Sequence, residues 1–146
     1  MRIQETLGFR LVSIVKLKWR MLDTKLKKLG LSRTEWRALL WMKILGPCSQ
    51  QELLEGLDID AAHLTRILTK LEKEKLIIRQ SVTGDRRSLQ VSLSLSAEQK
   101  LIPSIESSIK EENEIMLNGI NGEERVELMR LLEKVESNLL AFIRDK

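Results

Sequence analysis

The stretch from Asp60 to Leu95 constrains this chain more than any other. It opens with DAAHLTRILTKLEKEK over residues 60–75, then gives two β-like segments, LIIRQ at 76–80 and LQVSLSL at 89–95. The link between them, Ser81-Val-Thr-Gly-Asp85-Arg86-Arg87-Ser88, is basic and softened by a glycine. In the first segment Leu64, Ile67, Leu68 and Leu71 recur at helical spacing, which predicts an amphipathic helix with that stripe packed inward. The opposite side carries Ala62, Arg66, Thr69 and Lys73, flanked by His63, Thr65 and Lys70. Small residues near the helix start allow close approach to a surface, and the cations and hydroxyls suit phosphates and base edges. A helix followed by a hairpin with adjacent arginines at its tip is the layout of a winged helix-turn-helix.

At these residues the chain resembles the MarR family of bacterial transcription regulators, and within it the SlyA/RovA group. The wing tripeptide Asp85-Arg86-Arg87 carries most of the resemblance, because it falls after a helix and inside a hairpin. Leu76-Ile77-x-Arg79-Gln80 before it and Leu93-Ser-Leu-Ser96 after it fit the same pattern. Upstream, Leu31-Ser-Arg-Thr-Glu-Trp36 and Ser49-Gln-Gln-Glu-Leu53 stand where that group opens its second and third helices. The resemblance extends from about Leu7 to Ile143. Two positions depart from it. Lys75 replaces the glycine often found at the end of the reading helix, which predicts a helix without its usual C-cap. Ala62 replaces a proline or polar residue near the start of that helix.

Capping signals divide the chain into six helices and a hairpin. Residues 7–29 carry Leu7, Leu11, Ile14, Val15, Leu22, Leu26 and Leu29 and stop at Gly30. Ser32-x-x-Glu35 is a capping box for a helix to about Leu45, stopped by Gly46-Pro47. Ser49-x-x-Glu52 opens a short third helix ending near Gly56, and Asp60 caps the fourth. After the hairpin, Ser96-x-x-Gln99 is expected to open a long helix to about Asn118, and Asn121-x-x-Glu124 the last one. The fold class is therefore mainly α with a small β-hairpin. The resemblance implies one domain over 1–146, with a winged-helix DNA-binding lobe at 32–95. Residues 1–29 and 96–146 would then form the helical dimerisation region.

The last helix is apolar over much of its circumference. Val126, Met129, Leu132, Val135, Leu139 and Ile143 form one stripe, while Leu128, Leu131, Leu140 and Phe142 lie off it. An intramolecular core covers one side of such a helix, and a partner subunit is the simple account of the other. In the resemblance that partner is a second copy, gripped by the terminal helices through Leu7, Leu11 and the C-terminal stripe. Two readers related by a two-fold axis match two half-sites of a pseudo-palindrome.

Charge is unevenly placed. Residues 1–29 hold eight Lys/Arg against two acids, and residues 95–146 seven against eleven. A polyanion therefore suits the first half better than the second. Only five aromatic residues occur, three tryptophans and two phenylalanines, too few for a platform that stacks single-stranded bases. No apolar run approaches the roughly 18 residues of a membrane span, and Met-Arg-Ile-Gln-Glu-Thr lacks the apolar core of a signal peptide. A cytoplasmic protein is expected. The lone Cys48 fits a reducing compartment. It precedes a helix start, where a thiolate gains from the dipole, although a loop cysteine without a role is the plainer expectation.

Catalysis finds no support. His63 and Cys48 cannot build a zinc site, the seven glycines form no phosphate-cradling loop, and Ser32, Ser49 and Ser96 read as caps. No metal or cofactor is expected. For DNA, Arg66 is the first candidate, either paired with guanine in the major groove or clamped on phosphate. Arg86 is the second; the resemblance places it in the minor groove, with Arg87 bracing the wing or touching phosphate. Ala62, His63, Thr65, Thr69 and Lys70 complete the expected contact set.

Many MarR-like proteins bind small aromatic carboxylates between the dimer helices and the DNA-binding lobe. The positions matching that pocket are Lys16, Trp36 and Leu40, the last where the group carries a histidine. Lys16 would pair with a carboxylate and Trp36 would stack on a ring, unless Trp36 is a core anchor. The function implied is a homodimeric, sequence-specific regulator on double-stranded promoter DNA, with a small aromatic carboxylate as its modulator. The competing expectation is a winged-helix module that applies the same helix to an acidic protein.

Overall fold

The computed structural model describes residues 1–81 and 89–146. After a short 3₁₀ turn at Ile3–Glu5 come α1 (Leu7–Leu29), α2 (Arg33–Leu45), β1 (Cys48–Ser49), α3 (Gln50–Leu57) and α4 (Ala61–Lys73). Then follow β2 (Ile77–Ser81), β3 (Leu89–Leu93), a π-helical stretch at Ala97–Leu101, α5 (Ile102–Met116) and α6 (Gly122–Arg144). The mainly α class with a small antiparallel sheet is as expected. The chain divides into two compact units, Met1–Glu106 and Ser107–Lys146.

In the first unit, helix starts follow the sequence closely. Ser32 and Ser49 each accept from the N–H three residues on, while Glu35 and Glu52 reach back to the capping serine's amide. Asp60 accepts from the His63 amide at 2.7 Å. Each device satisfies a helix-end donor that has no partner within the helix, typically stabilising by about 1 kcal/mol.

The core lies where α1, α2, α3 and α4 meet the sheet. Leu22 and Leu26 come from α1; Trp36, Ala38, Leu39 and Met42 from α2; Leu53 and Leu57 from α3. The α4 stripe Leu64, Ile67, Leu68 and Leu71 is fully inside, with Ile77, Val91, Ile102 and Ile105 closing around it. Each such side chain contributes roughly 1.5–3 kcal/mol by leaving water, so this stripe is the main anchor of α4. Outside the core, Asp23 of α1 grips Arg33 of α2 through two bonds of 3.0 and 2.8 Å. That hydrogen-bonded pairing holds the Asp23 carboxyl below its ordinary pKa.

As expected, α3 ends near Gly56: it runs to Leu57 and stops on Asp58, whose φ of 53° is left-handed. Gly56 also serves packing, since a Cβ there would sit 2.6 Å from the Trp41 ring. The sequence showed the glycine but not the ring resting on it.

Three local expectations are corrected. First, α4 is capped at its C-terminus despite Lys75. The Leu76 N–H reaches the Leu71 carbonyl at 2.9 Å and the Lys75 N–H reaches Glu72 at 2.9 Å, a Schellman closure with Lys75 at φ 60°. Lysine occupies a left-handed position that glycine would fill without strain. Second, Ser96 is no cap; it is helical and its side chain makes no capping bond. Ser94 caps instead, its Oγ accepting from the Ala97 N–H at 3.1 Å while donating to the Lys75 carbonyl at 2.8 Å. Third, the Cys48 segment is a strand. Cys48 pairs with Val91 and Ser49 with Gln90, so the sheet has the order β1-β3-β2. Two residues are too few to show strand periodicity, and their partner lies far along the chain.

The hairpin register runs from Ile77 opposite Leu93 to Ser81 opposite Leu89. The wing candidates Arg86 and Arg87 lie outside the described residues. In the second unit, Asn121 and Glu124 form the expected capping box of α6. Arg125 ties the preceding turn by donating to the carbonyls of Ile120 and Leu117 at 2.9 and 3.2 Å. No residue of α6 is buried.

Two outcomes follow. Lys75→Gly should stabilise the protein by about 0.5–1 kcal/mol, because it relieves the left-handed backbone while keeping the closure. The thermal midpoint should rise by a few degrees; a fall would mean the lysine side chain contributes more than its backbone strain removes. Cys48 is 2% exposed, and its thiol is pushed up from the ordinary value by burial and then by Glu52. An aromatic disulfide reagent should therefore leave the native thiol unmodified and label it only in denaturant.

Candidate nucleic-acid interface

The side of α4 turned away from the core carries the expected set. Ala62, Thr65, Arg66 and Thr69 are exposed, and His63 is half-buried beside the Asp60 cap. The two alanines at the helix start, Ala61 and Ala62, leave the backbone accessible to an approaching surface. Arg66 makes no hydrogen bond or ion pair with any described residue, so its five guanidinium donors face solvent.

The threonines are oriented by fixed partners. Thr65 Oγ1 donates to the Ala61 carbonyl at 2.9 Å, one turn back. Thr69 Oγ1 accepts from Arg79 Nη2 at 3.1 Å. Arg79, on β2, is itself fixed by Glu72, its Nε lying 3.1 Å from Oε2. One arginine thus ties the outer edge of α4 to the hairpin.

Lys70 behaves differently from the expectation of a cation turned to DNA. Its Nζ is 2.8 Å from Oε1 of Glu35 and 3.9 Å from Glu74, so its charge is drawn back toward α2. Glu35 is 6% exposed, and both its oxygens are engaged: Oε1 by Lys70 and Oε2 by the Ser32 amide at 3.2 Å. The Glu35 hydrogen bond raises the Lys70 pKa above the ordinary lysine value, while desolvation opposes it. With a raised pKa, any stabilisation from this pair is complete below the unfolded lysine value, about 10.4, and is lost only as pH rises through the folded one. The link is therefore constant across neutral pH.

Sequence reasoning missed both bracing residues. Arg79 was visible as part of Leu76-Ile77-x-Arg79-Gln80, but a strand position gives no hint of which helix residue it reaches. Glu35 was legible as a capping-box acid, a role that uses one oxygen and says nothing of the second.

The residues matched to a ligand pocket are placed unequally. Lys16 is exposed on α1 and Leu40 is half-buried on α2. Trp36 is 1% exposed and belongs to the core cluster, so it is a core anchor with no free ring face. Among the residues expected at a dimer interface, Leu7, Val126, Met129, Leu139 and Ile143 are exposed, while Leu11, Leu132 and Val135 are half-buried. Among the described residues, no helix is long and apolar enough to cross a membrane.

Residues 31–89 match the MarR family. The fold is similar to that of transcriptional regulator PA3341, with a TM-score of 0.82 and 28% identity over 93% of this chain and 99% of the other. A probable transcriptional regulator from Pseudomonas aeruginosa gives 0.74 and 28% over 92% and 99%. BpsR of Bordetella bronchiseptica, whose DNA binding is regulated by 6-hydroxynicotinic acid, gives 0.77 and 20% over 93% and 96%. Residues 31–89 are thus similar to the MarR family, and solved transcriptional regulators share the fold over nearly the whole length of the chain.

Proposed function

We propose that this protein is a homodimeric transcription regulator that binds pseudo-palindromic sites in double-stranded promoter DNA. One observation carries the reading: α4 is anchored by its apolar stripe and braced at its edges, yet leaves Arg66 exposed and unpaired among small and hydroxyl residues. That combination presents a rigid helix with a free bidentate donor, which is what reading a guanine edge in the major groove requires. Lys70 acts here as a brace for α4, and Arg66, Ala62, His63, Thr65 and Thr69 form the reading surface. Arg86 and Arg87 would add wing contacts, Arg86 in the minor groove. The same two arginines and Asp85 favour the SlyA/RovA group within the family.

The exposed apolar residues of α6 support a second copy as the partner. Leu139, Phe142 and Ile143 are each more than half exposed, a density of apolar surface that soluble monomers rarely leave uncovered. Residues 32–95 would then be the reading lobe, and 1–29 with 96–146 the dimerisation region. A small aromatic carboxylate modulates binding in this reading. BpsR supports it through its response to such a compound, and Lys16 would be the cation that holds the carboxylate.

A gel shift with increasing salt tests the core of the proposal. Specific binding should weaken steeply as condensed counterions are released less favourably. Salt-insensitive or absent binding would favour the protein-interaction alternative. Within that assay Arg66→Ala should lose roughly 1–3 kcal/mol on the specific site and flatten the preference at one position per half-site. A uniform loss on all sequences would make Arg66 a phosphate contact.

For the dimer, Leu139→Glu should yield monomers in sedimentation and abolish tight binding to two-half-site DNA, because one lobe reads only half the site. A wild-type protein that sediments as a monomer at micromolar concentration would overturn the assignment.

A further inference from the structure

The reading helix carries two exposed hydroxyls one turn apart, and their partners leave them with opposite hydrogen-bonding character. A backbone carbonyl only accepts, so the 2.9 Å contact of Thr65 Oγ1 with the Ala61 carbonyl consumes the hydroxyl hydrogen. What Thr65 offers outward is lone pairs. A guanidinium only donates, so the 3.1 Å contact between Arg79 Nη2 and Thr69 Oγ1 occupies a lone pair and leaves the hydrogen free. No described residue donates to Thr65 Oγ1 or accepts from Thr69 Oγ1. Both polarities follow from the chemistry of the partner groups.

We propose that Thr65 meets DNA as an acceptor, selecting a base with an exocyclic amine in the major groove, and that Thr69 meets it as a donor. This deepens the DNA-reading function proposed above and rests on it. The two roles have unequal information content. Phosphate oxygens accept and never donate, so an acceptor-only hydroxyl gains nothing from the backbone. Its polar partners in the major groove are the N6 amine of adenine and the N4 amine of cytosine. Thr65 is therefore a specificity-determining residue. Thr69 can satisfy its hydrogen on a phosphate oxygen or on the base acceptors of guanine, thymine or adenine, so it contributes affinity with little discrimination.

Arg79 is the positioning residue of this arrangement. Glu72 holds its guanidinium, at 3.1 Å from Nε and 3.5 Å from Nη2, so the donor that sets the polarity of Thr69 is fixed.

The test begins by selecting duplexes from a random pool with the wild-type protein. Failure to enrich any sequence would overturn the DNA-reading function itself. With a preferred site in hand, each adenine or cytosine in it is replaced in turn by purine or pyrimidin-2-one, which lack the exocyclic amine. Affinities are then measured for wild type, Thr65→Val, Thr65→Ser and Thr69→Val. At one position per half-site, amine removal should weaken wild type and Thr65→Ser about tenfold, as for one lost hydrogen bond, and leave Thr65→Val unaffected. Thr69→Val should bind more weakly overall, with the same amine-dependent position as wild type. An amine penalty that is equal in wild type and Thr65→Val at every position overturns the proposal while the DNA-reading function stands. So does an amine penalty that disappears in Thr69→Val. Thr65→Ser keeps the hydroxyl, and its wild-type pattern would separate hydrogen bonding from any change in folding.

Discussion

The structure depends on how α4 is held. Its four apolar residues supply the free energy, but a stripe of leucine and isoleucine permits sliding and rotation, because hydrophobic burial is non-directional. Direction comes from polar contacts at the edges. Glu35 takes Lys70 from one side, Arg79 takes Thr69 and Glu72 from another, and the Schellman closure at Lys75 fixes the end. Each of these contacts is modest in a half-exposed setting. Their value is geometric: together they leave one orientation in which the stripe is buried and Arg66 is bare.

The sequence made the apolar side of the fold legible because it is periodic. The apolar positions of α1 and α4 repeat at helical spacing, and the caps at Ser32, Ser49, Asp60 and Asn121 fall where a short polar residue precedes a helix. What escaped was non-local. The two-residue strand at Cys48 exists only because Val91 pairs with it, forty-three residues away in sequence, and its residues carry no pattern of their own. Ser94 rather than Ser96 caps the helix after the hairpin because its hydroxyl is also needed by the Lys75 carbonyl, a demand set by the end of α4.

The candidate interface divides the same way. Which residues of α4 face outward followed from helical periodicity alone. Which of them were free did not, since that depends on partners on other elements. Lys70 and Arg66 look alike in sequence, four residues apart with similar charge, yet one is bound to a buried carboxylate and the other to nothing described. Trp36 likewise offered two readings, and only packing around α2 separates a ring that fills the core from one that waits for a ligand.

The Ser94 hydroxyl has a mechanical consequence. It donates to the Lys75 carbonyl just beyond α4 and accepts from the Ala97 amide in the first turn of the next helix. A single oxygen thus forms a rivet between the end of α4 and the element that leads out of the hairpin. Fraying at either end strips a partner from the other, so the two ends open as one cooperative unit. A tilt imposed on the outgoing helix is delivered to the foot of α4 through Ser94, whose backbone N–H also holds the Leu76 carbonyl at 2.9 Å, with no loop between them to absorb it.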